Sequence, residues 1–411
     1  MATLAIHGGA QAAKGLQFPP WPEFDVCDEE AVLTALRSRR WCRLSGSEVE
    51  AFEHEFAEYH DAKHAIAVSN GTVALELALL ACGIKPGDEV LVPAVTFIAS
   101  ASAIITSVGA VPIFVDIDPE TATIDPDALE AAITERTRAV IAVHYGGYPI
   151  DFDRIIPIVQ KHELYLIEDC AHAQGTEWCG RKLGAIGDIG AFSFQESKSF
   201  TAGEGGIVIT NNSDLAEQAR LYHNIGRVMG QAGYKHFVLA SNFRLSELQG
   251  ALLRVQLQRF REKQVHIKHE RGQFLANMLR EIGGVEPLKK DERITQRGYY
   301  FFVMRYDSNA FAGVSRDRFI EVLQAEGVPC YNGYGMPLYK QPAFKEQEIR
   351  RWLPESAKPW PDYEHLFLPV SERFCFEEQI TLPHQLLLLE QTKLQAVVGA
   401  ISKIKMHCGE I

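Results

Sequence analysis

From residue 65 onward, short runs that are apolar throughout alternate with longer amphipathic ones, and this pattern restricts the fold more than any other feature of the chain. "AIAV" (65 to 68) precedes "TVALELALLACG", and "DEVLVP" precedes "FIASASAIITSVGA". "VPIFVDID", "TRAVIAVHY" and "ELYLIED" follow, with "DFDRIIPIVQKH" reading as a helix before the last of them. A strand with no polar side must be covered on both faces, which predicts a largely parallel sheet between helices, an α/β fold. Sites in such sheets lie where the strands end at their carboxyl edge. The polar and aromatic strand ends are Ser69 and Asn70, Thr96 and Phe97, His144 and Tyr145, Glu168 and Asp169.

"GAFSF" and "GGIVITN" read as two further strands, after which residues from about 214 to 285 are expected to be mostly helical, with a long helix crossing between domains. The remainder, with "YYFFVMRY" and "RDRFIEVLQAEG", reads as a compact α+β unit. At 411 residues the chain exceeds one ordinary core. The expected division is an N-terminal arm over 1–24 that includes "FPPWP", a large domain over 25–265, and a smaller C-terminal α+β domain over 266–411.

Forty-one Lys and Arg against 53 Asp and Glu give a net charge of -12 with no basic block, which argues against nucleic acid as a ligand. The first residues carry no basic, apolar leader, and no segment reaches 18 uninterrupted apolar residues. A cytoplasmic enzyme without a membrane partner is expected. Eight scattered cysteines lack a CxxC pair or histidines at zinc spacing, so they are expected to be reduced thiols and no metal site is expected.

Three short stretches carry chemistry together. "SNGT" (69 to 72) enters a helix with free amides and the positive end of a dipole, which suits a phosphate at Gly71 and Thr72. "EDCAHAQG" (168 to 175) puts Asp169 at the end of an apolar strand, where it can face a cation. "FSFQESKSFTAGEGG" (192 to 206) sets Lys198 between an aromatic run and a glycine loop, surroundings that lower a lysine pKa from roughly 10.4 toward neutrality. An amine, a carboxylate and an anion cradle match the aldehyde, ring nitrogen and phosphate of pyridoxal 5′-phosphate.

"EDCAHAQGT", "FSFQESKSFTAGEGGIVITN" and "SNFRLSELQGALLRVQLQRF" closely resemble the DegT/DnrJ/EryC1/StrS family of pyridoxal-phosphate aminotransferases, which act on keto-sugars and keto-cyclitols. The resemblance runs from about residue 25 to residue 405, and its most specific element is Gly-Glu-Gly-Gly starting five residues after the lysine. It implies the fold of aspartate aminotransferase, fold type I. It further implies that Lys198 carries the cofactor as an imine and then shuttles protons, and that Asp169 keeps the pyridine nitrogen protonated. His172 falls where many members carry Gln against the cofactor's phenolic oxygen, and Phe97 where an aromatic stacks on the pyridine. Ser193 corresponds to a phosphate ligand, as does Asn242, which the family donates from a second subunit, so a homodimer with a composite site is implied. Arg244, Tyr334 and His384 are candidates for substrate contacts.

The resemblance is strongest to the branch acting on inosose-type cyclitols. It implies transfer of an amino group from L-glutamine, or L-glutamate, to a keto-cyclitol or keto-sugar by ping-pong kinetics. Two other readings stand beside it: a 3-amino-5-hydroxybenzoate synthase-like enzyme, and a PLP-binding regulator without turnover. Dehydratases of the family replace the lysine with histidine, and this chain keeps Lys198.

Overall fold

The computed structural model describes residues 3–231 and 233–411. In chain order its strands are β1 (His64–Val68), β2 (Glu89–Pro93), β3 (Val111–Val115), β4 (Thr137–Val143), β5 (Tyr165–Asp169), the short β6 (Glu177–Trp178) and β7 (Arg181–Lys182), β8 (Ile189–Ser193) and β9 (Gly206–Thr210). They continue with β10 (Val285–Pro287), β11 (Ile294–Gln296), β12 (Phe301–Tyr306) and β13 (Gln379–Pro383). Seven of them form the central sheet in the order β1-β9-β8-β5-β4-β2-β3. Only β9 runs against the rest, pairing antiparallel with both β1 and β8.

The all-apolar strands behave as their composition requires, because alternate residues feed two separate cores. Val90, Val92, Ile141 and Val143 pack on one face beneath the helices Gly71–Ala81 and Ala99–Val108. Leu91, Val140 and Ala142 pack on the other with Phe52, Phe56 and Phe152. Phe200 lies fully buried in this second core, its ring tilted against those of Phe194 and Phe260. Its place two residues after Lys198 is therefore set by packing.

A third core joins the sheet β10-β12-β13 to the helices Val265–Ile282, Arg316–Ala325 and Gln391–Met406. Leu4 and Ala13 from the N-terminal stretch are buried in it, and Glu326 accepts hydrogen bonds from the amides of Ala5 and Ala12. Leu338, Tyr339, Phe344 and Tyr363, by contrast, pack against Phe114 on the large sheet. No helix among the described residues is long and apolar enough to cross a membrane.

The expected long helix is a continuous rod with one irregularity. Ser246 and Gln249 form a capping box at the start of Glu247–Arg259, a π turn spans Phe260–Gln264, and Val265–Ile282 continues beyond it. Lys268 on this rod is fully buried beside the rings of Trp21 and Phe260, and its ammonium has no hydrogen-bond partner among the described residues. Burial pulls its pKa from 10.5 down to about 7. The folded state therefore disfavours the proton that the unfolded chain holds up to pH 10.5, a cost complete below about pH 7 and gone above 10.5. Lys268→Met is expected to stabilise the protein by about 2 to 3 kcal/mol at pH 6.5, with the gain vanishing as pH rises through 10.5. Denaturant melts of both proteins at the two pH extremes check it.

Candidate active site

The carboxyl ends of β1, β5 and β8 converge on a cavity of about 650 Å³. It is bordered by Gly71 and Thr72 at one end, by Asp169 and Lys198, and by Phe97, His172, Ser193 and Tyr334. Eight of the eleven residues singled out from the sequence thus meet in one place.

The anion-accepting end is built by close backbone approach. Asn70 caps the helix Gly71–Ala81, its side chain accepting from the Val73 amide at 2.9 Å and its carbonyl from Ala74 at 3.1 Å. This cap leaves the amides of Gly71 and Thr72 to the cavity they line. A Cβ on Gly71 would fall 2.6 Å from the Ser193 Cβ, and one on Gly206 would fall 2.4 Å from the Asn70 carbonyl oxygen. Only glycine lets β8, β9 and the helix start come this close. Gln174 fixes Ser193 from behind, donating to its carbonyl at 2.7 Å.

Asp169 is buried, and both its oxygens are engaged. Ser100 Oγ donates to Oδ2 at 2.7 Å, and the Ala171 amide donates to Oδ1 at 3.1 Å. Because the Ser100 proton is committed there, Thr96 Oγ1 donates to Ser100 Oγ at 2.8 Å. The neighbouring Glu168 faces the other way. It accepts from the amides of Gly184, Ile186 and Gly187 and from His144 Nε2 at 3.1 Å. Cys170 completes a cluster of metal-ligand types with His144 and Glu168, but protein donors already fill the carboxylate.

Lys198 Nζ sits 4.0 Å over the ring of Tyr300. Burial lowers its pKa to about 8, against the opposing pull of the Asp169 charge. Much of the amine is therefore unprotonated at mildly alkaline pH, which an amine needs before it can attack a carbonyl. His172 stacks on the same Tyr300 ring at 4.3 Å, with Nδ1 on the Gly146 amide at 3.4 Å and Nε2 on the Tyr334 hydroxyl at 3.1 Å. Phe97, 53% exposed despite its size, turns its ring toward the cavity 6.1 Å from that of Tyr334.

Three residues lie elsewhere. His384 is buried behind the lysine loop, with Nε2 donating to the Ser197 carbonyl at 3.2 Å and its ring edge-on to Trp21. It therefore has no face toward substrate, and its expected contact gives way to a role in packing. Arg244 donates to Asn224 at 2.8 Å, and Asn242 is exposed, its side chain accepting from the Arg244 amide. Neither borders the cavity of its own chain.

Thr96 stands among the strand ends expected at the site, whereas Ser100, Gln174 and Tyr300 are supporting residues that the sequence reading does not name. The four-residue spacing of Thr96 and Ser100 across a helix start is the one local signal of their pairing, whereas Tyr300 opens a stretch that reads only as strand.

The functional groups fit pyridoxal 5′-phosphate: a buried carboxylate, a buried low-pKa amine and an amide-lined anion end share one cavity. Comparison with known proteins bears on the same point. A sequence profile of the DegT/DnrJ/EryC1/StrS aminotransferase family matches residues 24–386. The chain is 37% identical to a protein of Streptoalloteichus tenebrarius named putative L-glutamine:3-amino-2,3-dideoxy-scyllo-inosose aminotransferase, over 98% of both chains. It is 39% identical to 3-amino-5-hydroxybenzoate synthase of Amycolatopsis mediterranei over 82% of this chain and 86% of that one. The crystal structure of a 3-amino-5-hydroxybenzoic acid synthase, 35% identical, superposes with a TM-score of 0.83 over 94% of this chain and 98% of that one. The chain therefore belongs to the DegT/DnrJ/EryC1/StrS aminotransferase family, a pyridoxal 5′-phosphate-dependent transaminase.

Proposed function

We propose that this transaminase moves an amino group from L-glutamine to a keto-cyclitol of the scyllo-inosose type, in two half-reactions that share one pocket. The observation that carries the chemistry is Lys198, a buried amine with a pKa of about 8 beside Asp169. Similarity over 98% of both chains to a glutamine:inosose-type aminotransferase supports the choice of substrates.

When bound, pyridoxal phosphate supplies an aldehyde and an electron-accepting ring. The Gly71 and Thr72 amides with the Ser193 hydroxyl would hold its phosphate, and Phe97 would offer an aromatic face to its ring. Asp169 presents a negative charge that holds a proton on the pyridine nitrogen, while Ser100 and Thr96 keep that carboxylate from turning. Lys198 Nζ takes up and returns the proton moved in each half-reaction. The buried Tyr145 and His172, with the half-buried Tyr334, limit competing water around these groups.

Asn242 and Arg244 serve the site of a second copy in a homodimer, a reading supported by the exposure of Asn242 and its position outside the cavity of its own chain. Addition of L-glutamine to the holoenzyme is expected to bleach the cofactor's carbonyl-form absorbance and release the oxo acid, and scyllo-inosose then restores the spectrum. Glutamate replacing glutamine in the first step would shift the donor assignment, and no restoration by any keto-cyclitol would overturn the acceptor.

One observation favours a second reading. The identity to the hydroxybenzoate synthase, 39%, exceeds that to the full-length inosose-type relative. That match spans less of this chain, 82%, and for this reason the cyclitol reading is preferred. Formation of an aromatic absorbance from a cyclic keto acid would decide for the synthase.

A further inference from the structure

Lys198 follows two peptide units that are each held at both ends. A peptide is planar, so one hydrogen bond at its carbonyl and another at its N–H leave it little freedom to turn. In the unit that joins Ser197 to Lys198, the Lys198 N–H donates to the Gln195 carbonyl at 2.8 Å and the Ser197 carbonyl accepts from His384 Nε2 at 3.2 Å. In the unit before it, the Ser197 N–H donates to Gln195 Oε1 at 2.9 Å and the Glu196 carbonyl accepts from Trp21 Nε1 at 2.9 Å. The N–H ends are thus satisfied within the turn itself, whereas both carbonyls are satisfied from outside it. No backbone amide among the described residues donates to either carbonyl.

The two outside donors come from opposite ends of the chain. His384 opens the turn after β13, and Trp21 belongs to the N-terminal arm. Their rings meet edge to face with centroids 4.5 Å apart, so each limits the movement of the other. The arm is tied down two residues later, where the Glu23 carbonyl accepts from Gln256 Nε2 at 2.9 Å and from the Arg259 guanidinium at 3.1 Å. The proton on His384 is placed by its partner. A carbonyl can only accept, so Nε2 carries the hydrogen, and burial, with the Lys268 charge adding to it, keeps the ring neutral. Nδ1 is then unprotonated, and it meets no partner among the described residues.

We propose that Trp21 and His384 are positioning residues that together hold the two peptide planes ahead of Lys198 and so aim its amine into the cavity, which makes the N-terminal arm part of the cofactor machinery. Neither side chain borders the cavity, so the effect passes through the backbone of the lysine loop. With both planes fixed, only the lysine's own side-chain bonds remain to place the amine, and attack on an aldehyde requires a narrow approach. This rests on Lys198 being the amine that takes the cofactor, the reading given above.

Two forms of the cofactor separate positioning from folding. Pyridoxal 5′-phosphate condenses with the Lys198 amine and releases water, whereas pyridoxamine 5′-phosphate carries an amine in place of the aldehyde and binds without that bond. Trp21→Phe keeps a ring and removes its N–H, and His384→Leu keeps bulk and removes the donor. In each variant apoprotein the affinity for pyridoxal 5′-phosphate is expected to fall about tenfold, while that for pyridoxamine 5′-phosphate stays within about twofold. His384→Gln, whose amide can donate to the same carbonyl, recovers most of the loss. Equal losses for both forms, no loss for the aldehyde form, or no recovery in His384→Gln overturn the proposal. Nitrogen-15 NMR of wild-type holoenzyme labelled at histidine reads the donor directly, with the His384 signals identified by their loss in either His384 variant. A protonated Nε2 and a pyridine-type Nδ1 are expected, and a protonated Nδ1 or an imidazolium overturns the proposal whatever the variants bind. Borohydride mapping of the wild-type holoenzyme keeps the two readings apart. A label on a lysine other than Lys198 ends the reading of the site, whereas a label on Lys198 with both cofactor forms weakened alike in the variants ends only the positioning role.

Discussion

Lys198→Ala is expected to lower transamination by about 10⁴-fold or more, because one change removes both the covalent route and the proton carrier. Among the described residues no other lysine borders the cavity, and the buried Lys268 is enclosed against Trp21 and Phe260. Cofactor affinity should fall less than the rate. The amides of Gly71 and Thr72 and the hydroxyl of Ser193 are untouched by the change, so the phosphate end remains. Borohydride treatment of the wild-type holoenzyme followed by peptide mapping gives the positive counterpart: the reduced pyridoxyl group is expected on the peptide carrying Lys198 alone. Its appearance on another lysine would end the assignment, as would a Lys198→Ala protein that retains even a hundredth of the rate.

Asp169→Asn is expected to lower kcat by about 10³-fold with a much smaller effect on cofactor affinity, since it removes a charge and keeps the shape. An amide oxygen can still accept from Ser100 or from the Ala171 amide, so the pocket need not collapse. What is lost, on the proposed function, is the negative charge that would hold a proton on the ring nitrogen. The same change acts on Lys198. The Asp169 charge raises the amine pKa against a larger downward effect of burial, so its removal moves that pKa below about 8. The pH dependence of amine modification at Lys198 in the apoprotein should therefore shift downward in the variant. An unchanged profile would mean that the two groups do not sense each other.

These two residues are also the ones that local sequence made most legible. Lys198 is an isolated cation between aromatic residues and glycines, and Asp169 ends an apolar strand, so each contrasts with its neighbours. The parallel sheet was legible for a related reason, because strands such as β4 show no polar face. The supporting groups were not. Ser100 reaches Asp169 across 69 residues, and Gln174 reaches Ser193 across 19, so nothing beside them in the chain announces the contact. His384 follows a strand as site residues do, yet the turn after β13 aims it into the packing beneath Trp21. The reversed direction of β9 was equally hidden, since an all-buried strand reads the same either way.

Glu168 and Asp169 sit side by side at the end of β5, one anchoring the 184–187 turn on one side of the sheet and the other lining the cavity on the opposite side. Their pairing with Gly190 and Ala191 acts as a registration mark. A slip of one position would carry the longer acid into the cavity and leave the turn's amides facing an aspartate too short to gather them. The native register is therefore favoured by contacts on both sides of the sheet, with the amides of the 184–187 turn satisfied only when the cavity also receives its aspartate.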